Sequence, residues 1–262
     1  PRARLGVGVT LMKWYKAFVQ VQDVRRWGEE INTLGDYSAN GFDMHQAWVE
    51  VTCPWGLFVR LGRQEIAYDN HRLIGTVGWA QQARSFNAIR LGLRTKRLPF
   101  AVEAFYAMLG EKDAYTFKTD PSDPTKKITT SGSPEDNHLA GLWARYKGLK
   151  FVRPSLAMYY DHKGATDQDR VTVGLFVDGA PLPGLTYNAE FYYQLGSSET
   201  AGKTQDIAAF MTAVRLGYTA HVRTQHPLTL RFENLAGSDA NTTATTNAIT
   251  TLKWINRNPI VN

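Results

Sequence analysis

Strict alternation of apolar and polar residues is the feature that most limits what this chain can become. Across residues 4–11, Leu5, Val7, Val9 and Leu11 fall on one side, and Arg4, Gly6, Gly8 and Thr10 on the other. Successive side chains of a strand point to opposite faces, so this is the signature of a two-faced β-strand. The pattern recurs in Thr229-Leu230-Arg231-Phe232-Glu233, with Arg and Glu on the polar face. In a soluble sandwich the apolar face would be the core. In an outer-membrane barrel it faces lipid, and the charges line the lumen.

Composition removes other classes. Mean hydropathy is −0.33, and no apolar run approaches the roughly 20 residues of a spanning helix. That excludes a helical membrane protein but not a barrel, whose polar half hides the lipid face in any average. The net charge of +6 favours anions. Basic residues are spread along the strands and not gathered in an arm or helix, which argues against a nucleic-acid partner. Cys53 is the single cysteine, no Cys/His spacing suggests a metal site, and no cofactor is expected.

Turn residues and β-branched runs divide the chain into about thirteen strands. They lie at 4–12, 17–24, 42–52, 57–65, 86–94, 100–109, 139–146, 152–160, 170–178, 185–194, 207–218, 228–233 and 249–255. Short connections (13–16, 53–56, 95–99, 147–150, 179–184, 220–227) alternate with longer polar ones (25–41, 66–85, 110–138, 161–169, 195–206, 234–248). Bacterial barrels show this asymmetry, with short periplasmic turns and longer extracellular loops. A Greek-key sandwich has no reason to keep it. The expectation is an all-β, transmembrane, antiparallel up-and-down barrel forming a single domain over 1–262, its long loops exposed and mobile. The same order predicts one strand ahead of Pro1, for about fourteen in an even-numbered barrel. The ending at 259–262 lacks a terminal aromatic and suggests further strands there as well.

Period two also assigns the faces. Leu57, Val59 and Leu61 fall on the apolar side, as do Ile89, Leu91 and Leu93; Val171, Val173, Leu175 and Val177; Tyr187, Ala189, Phe191 and Tyr193; and Phe210, Val214, Leu216 and Tyr218. The opposite side collects Arg4, Arg60, Arg90, Arg94, Arg145, Arg170, Arg215 and Arg231 with Glu50, Glu103, Glu190, Glu233 and Asp178. Enclosed in a barrel, eight arginines against five acids make a cationic, internally paired wall, and arginine rings select anions in pores. For any one arginine, bracing the wall is as good a reading as touching a solute. Glycines on this face (Gly6, Gly8, Gly62, Gly92, Gly174 and Gly217) either make room for bulky neighbours or ease sheet curvature, and the second use is expected for most. Trp14, Tyr15, Trp27, Trp55, Tyr68 and Trp254 near strand ends are expected in interfacial girdles.

One segment goes further. Val59-Arg60-Leu61-Gly62-Arg63-Gln64, then Asp69, Arg72-Leu73-Ile74-Gly75, Trp79, and Arg84-Ser85-Phe86-Asn87 through Leu91 resemble the alginate-export family of outer-membrane porins. That family shows a strand ending in Gly-Arg-Gln, a loop with Asp and Arg-Leu-hydrophobic-Gly, a Trp, and a strand opening near Phe-Asp. Here the last position is Asn87. Residues 206–218 and 227–230 resemble later strands of the family, so the likeness is strong over 59–91 and weak over most of the chain. It implies an eighteen-stranded barrel, longer than this chain supports, with an electropositive pore for an anionic polysaccharide. It singles out Arg63, Arg72, Arg84 and Arg90 as lumen arginines. Their other reading is to hold the loop by pairing with Glu65 and Asp69.

The leading function is therefore passive diffusion of an anionic solute, such as a uronate polymer or oligomer, past a wall of Arg60, Arg63, Arg72, Arg84, Arg90, Arg94, Arg145, Arg170, Arg215 and Arg231 with Glu103 and Glu190. Expected partners are the outer-membrane bilayer with its lipopolysaccharide and an anionic saccharide. Two alternatives stand beside it. A barrel hydrolase of phospholipase type would need a Ser–His pair reachable from lipid, yet no Gly-x-Ser-x-Gly motif is present. A soluble carbohydrate-binding β-sandwich accounts for the aromatics but not for the turn alternation.

Overall fold

The computed structural model describes residues 2–24, 41–80, 83–95, 97–110, 115–120, 123–131, 136–149, 151–164, 167–200, 203–220, 228–237 and 245–246. Its elements are β1 (Arg2–Leu11), β2 (Tyr15–Val24), β3 (Gly41–Thr52), β4 (Leu57–Gln64), β5 (Phe86–Leu93), β6 (Phe100–Gly110), β7 (Tyr115–Asp120), β8 (Asp123–Ser131), β9 (Asn137–Tyr146), β10 (Arg153–Lys163), β11 (Gln168–Leu182), β12 (Leu185–Thr200), β13 (Lys203–Ala220), β14 (Leu228–Gly237) and the two-residue β15 (Thr245–Thr246). Twelve of them run up and down in one sheet, each antiparallel to the next, in the order β1 to β6 and then β9 to β14. β1 and β14 are its edges among the described residues, and β15 lies parallel to β13.

The strands expected from the sequence recur in the sheet, save 249–255, which lies outside the described residues. Three expectations about the connections are corrected. The 110–138 connection carries a separate hairpin of β7 and β8. The 161–169 and 195–206 connections are not long loops, because the flanking strands continue almost to the turn. β11, β12 and β13 reach 15, 16 and 18 residues, where about 9–11 suffice to cross a bilayer. Ser197-Ser198-Glu199-Thr200 stays paired with Lys203-Thr204-Gln205-Asp206. These residues are polar on both faces, so they carry no alternation to betray a strand. Pairing outside lipid needs only the backbone ladder.

Tight turns close the other end. Met12 and Lys13 both adopt left-handed φ, 51° and 65°, and this primed geometry matches the twist of a two-strand hairpin. Gly56 (φ 94°) and Gly184 (φ 80°) supply the same freedom at two further turns.

The apolar face lies outside, as period two requires. Leu5 is 71% exposed, Leu91 47% and Leu216 48%. So large a continuous apolar surface is not compatible with water; lipid is its solvent. Exposed aromatics edge it at both ends. Trp14, Tyr15, Trp55, Phe100, Phe151 and Tyr218 lie toward the tight turns, and Phe42, Tyr106, Tyr160, Tyr193 and Phe210 toward the long connections. Tyr68 does not join them: it is 5% exposed, on the other side of the sheet. Trp27 and Trp254 lie outside the described residues. A bulge opposite Gln20 and Val21 turns His45 inward while Phe42 and Met44 stay outward.

Leu91→Arg, on the outer face within β5, is expected to cost about 2–4 kcal/mol of stability. Thr204→Arg, on the projecting part of β13, should stay within about 0.5 kcal/mol. Denaturant unfolding of the protein in lipid vesicles measures both.

Candidate functional site

One connection covers part of the polar face. Residues 65–80 leave β4 and cross the inner side of the sheet; Arg72, Leu73, Ile74 and Gly75 are buried there, while His71, Gly78 and Trp79 stay exposed. The crossing begins where Gln64, fully buried, donates to the Ala88 carbonyl at 2.9 Å. Glu65 Oε1 lies 2.7 Å from His45 Nε2 and 3.4 Å from Arg4 Nη1. The His45 hydrogen bond, with Arg4 nearby, holds the Glu65 carboxyl below its ordinary range. Ile66, Tyr68, Leu73 and Ile74 then sink into an apolar cluster with Phe86, Phe105, Leu139, Trp143, Tyr159 and Tyr192. Tyr68 stacks on Trp143 (centroids 5.1 Å) and Phe105 (5.9 Å).

Polar anchors pin the far end of the crossing. Asp69 takes a left-handed φ of 52°, a conformation Asp tolerates better than most residues. Its carboxylate accepts from Trp143 Nε1 at 3.1 Å, Ser155 Oγ at 2.6 Å and Arg145 Nη1 at 3.3 Å. Burial nevertheless pushes this carboxyl above the usual range. Asn70 Nδ2 and Arg72 Nε both donate to Glu190 Oε1, at 2.8 and 2.6 Å. Thus β4–β5, β9, β10 and β12 are tied together through one loop. Neighbouring strands stand about 4.8 Å apart, so the five steps from β5 to β12 would spread about 24 Å on a flat sheet. The loop bridges them as a chord across a curved wall.

Below the loop, toward the tight turns, the wall is rich in guanidinium groups. Glu50, buried, accepts from Arg60 Nη2 at 2.6 Å and Arg94 Nη1 at 3.1 Å, with Lys16 Nζ at 3.7 Å. Glu103 pairs with Arg90 and meets Arg94 Nε at 3.6 Å. Asp178 pairs with Arg145 and with Arg153 Nη2 at 2.5 Å. Aromatic rings support the cations: Arg60 lies 3.7 Å from the Trp48 centroid and Arg94 3.7 Å from that of Phe58. A cavity of about 340 Å³ opens here between Tyr68, Asp69, Arg90, Glu103, Trp143, Arg145 and Lys147.

The arginines singled out in the sequence fall into distinct groups. Arg60, Arg90, Arg94 and Arg145 belong to this band. Arg170 is fully buried and forks onto Asp161 through two 2.8 Å hydrogen bonds, which makes it a brace. Arg72 does hold the loop, through Glu190 on β12. Arg63 pairs with Asp43 at 3.5 Å. With Arg84 it lines a second cavity of about 230 Å³ at the long-connection rim, beside Asn87 and Met108. Burial draws the Arg84 guanidinium down to about 10. Arg215 is half-buried on β13, opposite Asn188. Arg231 is placed by register opposite Gly217, its side chain lying outside what the structure describes, as does that of Glu233.

The glycine expectation is corrected at Gly6 and Gly174. A Cβ at Gly6 would touch the Phe18 ring, one at Gly174 would overlap Tyr192, and one at Gly141 would overlap Phe105 and Tyr159. At Gly6, Gly141 and Gly174 glycine makes room for inward aromatics, whereas at Gly62 and Gly92 a Cβ would first meet the backbone of the neighbouring strand. Those aromatics (Phe18, Trp48, Trp143, Tyr159 and Tyr192) are what sequence reading missed. Their parity with Arg60, Arg145 and Glu190 was the available signal.

An up-and-down sheet with a lipid-compatible outside and a charged inside defines an outer-membrane β-barrel protein. The family model described as "Alginate export" matches residues 4–253, nearly the whole chain. The chain belongs to the alginate export family and resides in the bacterial outer membrane. Among solved structures it is similar to OmpT, an outer membrane protein of Vibrio cholerae. The loop L8 deletion mutant aligns at 9% identity and TM-score 0.44 over 90% of this chain and 85% of that one. The in-vitro folded trimer form aligns at 11% and 0.45 over 91% and 81%. No curated protein matches the chain in sequence.

Removing Arg72 takes from the buried Glu190 carboxylate the guanidinium that donates to it, a loss of up to about 3–5 kcal/mol for such pairs. Arg72→Ala and Glu190→Ala are each expected to release the 65–85 crossing, and the double variant should cost less than the sum. Faster hydrogen exchange and proteolytic cutting within 65–85 would register the release.

Proposed function

We propose that the protein is a passive outer-membrane channel through which anionic saccharides, such as uronate chains, diffuse along an arginine-biased inner wall. The observation that carries this reading is the imbalance at the tight-turn end. Glu50 is shared by Arg60, Arg94 and Lys16, and Asp178 by Arg145 and Arg153. Although Arg94 and Arg145 are each shared by two acids, Lys16, Arg60, Arg90, Arg94, Arg145 and Arg153 outnumber Glu50, Asp69, Glu103 and Asp178, so the band keeps net positive charge after pairing. Lys16, Arg94 and Arg153 leave 46%, 41% and 43% of their side chains exposed, enough to meet a solute without breaking the wall. Arg60, Arg90 and Arg145 are deeper and hold the acids that hold their neighbours.

Tight turns mark the periplasmic side of bacterial barrels. The cationic band then collects carboxylates at the mouth where an exported chain arrives. Arginine suits the task because its planar fork grips a carboxylate with two donors. Several weak contacts in series let a polymer move on without being trapped. The 65–85 crossing narrows the passage beyond the band, and Arg63 and Arg84 receive the chain at the far rim. No step in this passage requires catalysis. The whole of 1–262 acts as one barrel domain in this reading.

The test is single-channel recording across a salt gradient. The wild type is expected to prefer anions, and oligomeric uronate on the periplasmic side should reduce its conductance. Replacing Arg94 and Arg153 by Gln should move the reversal potential toward zero and weaken the uronate block. A cation-preferring channel, or a reversal potential indifferent to both substitutions, would overturn the proposal.

A further inference from the structure

The outer face carries, at its long-connection end, a row of side chains that the channel does not use. His138 on β9 lies directly opposite His162 on β10, and His162 directly opposite Asp169 on β11. The two imidazole rings are stacked, 6.2 Å apart and inclined by 22°. His162 Nδ1 is 3.0 Å from Asp169 Oδ1. Asp167, held at φ 38°, brings a second carboxylate to the same place. His162, Asp167 and Asp169 each offer a ligand atom within 4.8 Å of the others. Tyr hydroxyls stand behind the row: that of Tyr160 donates to Asp169 Oδ1 at 2.5 Å, and that of Tyr106 lies 2.8 Å from His138 Nδ1.

We propose that this row is a binding site for a divalent transition-metal ion of the zinc class, with His162, Asp167 and Asp169 as ligands and His138 completing the set. Two imidazoles and two carboxylates suit zinc, copper or nickel, whereas magnesium and calcium take all-oxygen shells. Bond lengths of about 2.0–2.2 Å to a tetrahedral ion place ligand atoms about 3.4 Å apart. His162 Nδ1 and Asp169 Oδ1, 3.0 Å apart, already stand near that spacing. Tyr160 and Tyr106 then act as the outer hydrogen-bond partners that orient metal ligands. A cross-strand row gains a further property from the ion, because β9, β10 and β11 become clamped at the rim. The channel is unaffected, since the row and the lumen lie on opposite faces of the sheet.

The experiment is calorimetric titration of the metal-stripped protein in detergent with zinc and, separately, magnesium. One zinc ion per chain is expected, with no saturable uptake of magnesium. His162→Ala should abolish binding, while His138→Ala and Asp169→Asn should weaken it by about tenfold or more. Affinity should fall as the pH is lowered, because protons compete with the metal for its ligands. Histidine modification by diethylpyrocarbonate, read by mass spectrometry on the unsubstituted protein, needs no variant to fold. Zinc should protect His138 and His162 selectively. Absence of saturable zinc binding, unchanged binding in His162→Ala, or equal modification with and without zinc would each overturn the proposal.

Discussion

Inside hydrocarbon there is no water to satisfy a free backbone N–H or C=O, and each unpaired group costs several kcal/mol. Every other property of this protein follows from the ladder that meets this demand. Twelve successive strands, each antiparallel to its neighbour, keep the backbone paired without any help from side chains. Side chains are then free to be divided by solvent. Leu5, Val59, Leu91 and Leu216 go out to lipid. Arg60, Arg90, Glu103 and Glu190 go in, where charge has partners.

The inner wall is consequently an electrostatic structure first and a surface second. Glu50, Glu103, Asp161, Asp178 and Glu190 are each held by guanidinium groups. A buried acid with one cation is a brace, as at Asp161 with Arg170. A buried acid shared by several cations leaves a local excess of positive charge, as at Glu50 with Arg60, Arg94 and Lys16. Within one such cluster depth makes a second division: Arg60 and Arg145 lie deep against Glu50 and Asp178, while Arg94 and Arg153 on the same acids stay 41% and 43% exposed. The 65–85 crossing obeys the same rule: Asp69 and Glu190 anchor it because Arg145 and Arg72 wait on the wall and in the loop.

Much of the fold was legible in the chain. Period two identified strands such as 57–65, 86–94 and 170–178 and assigned their faces. The polar ends of β12 and β13 were not legible, since Ser197-Ser198-Glu199-Thr200 has no apolar side to alternate. The inward arginines were legible as one face of the strands and not in their pairing. Arg72 stood out through its motif, but its partner Glu190 lies 118 residues away, and no local pattern joins them. Tyr68 read as an interfacial aromatic because it follows a strand end. Only the reversal of the chain over the sheet carries it inward against Trp143 and Phe105.

The amino-acid order alone determined the two-faced strands, the tight turns on one side and the placing of arginine on the face away from lipid, because these rest on neighbours in sequence and on the fixed geometry of an extended backbone. Tertiary structure decided which arginines are consumed as braces, how the 65–85 connection spans the wall, and which glycines make room for Phe18, Tyr192 and Phe105. Those outcomes depend on distances between strands far apart in the chain, and only the curvature of the paired sheet sets them.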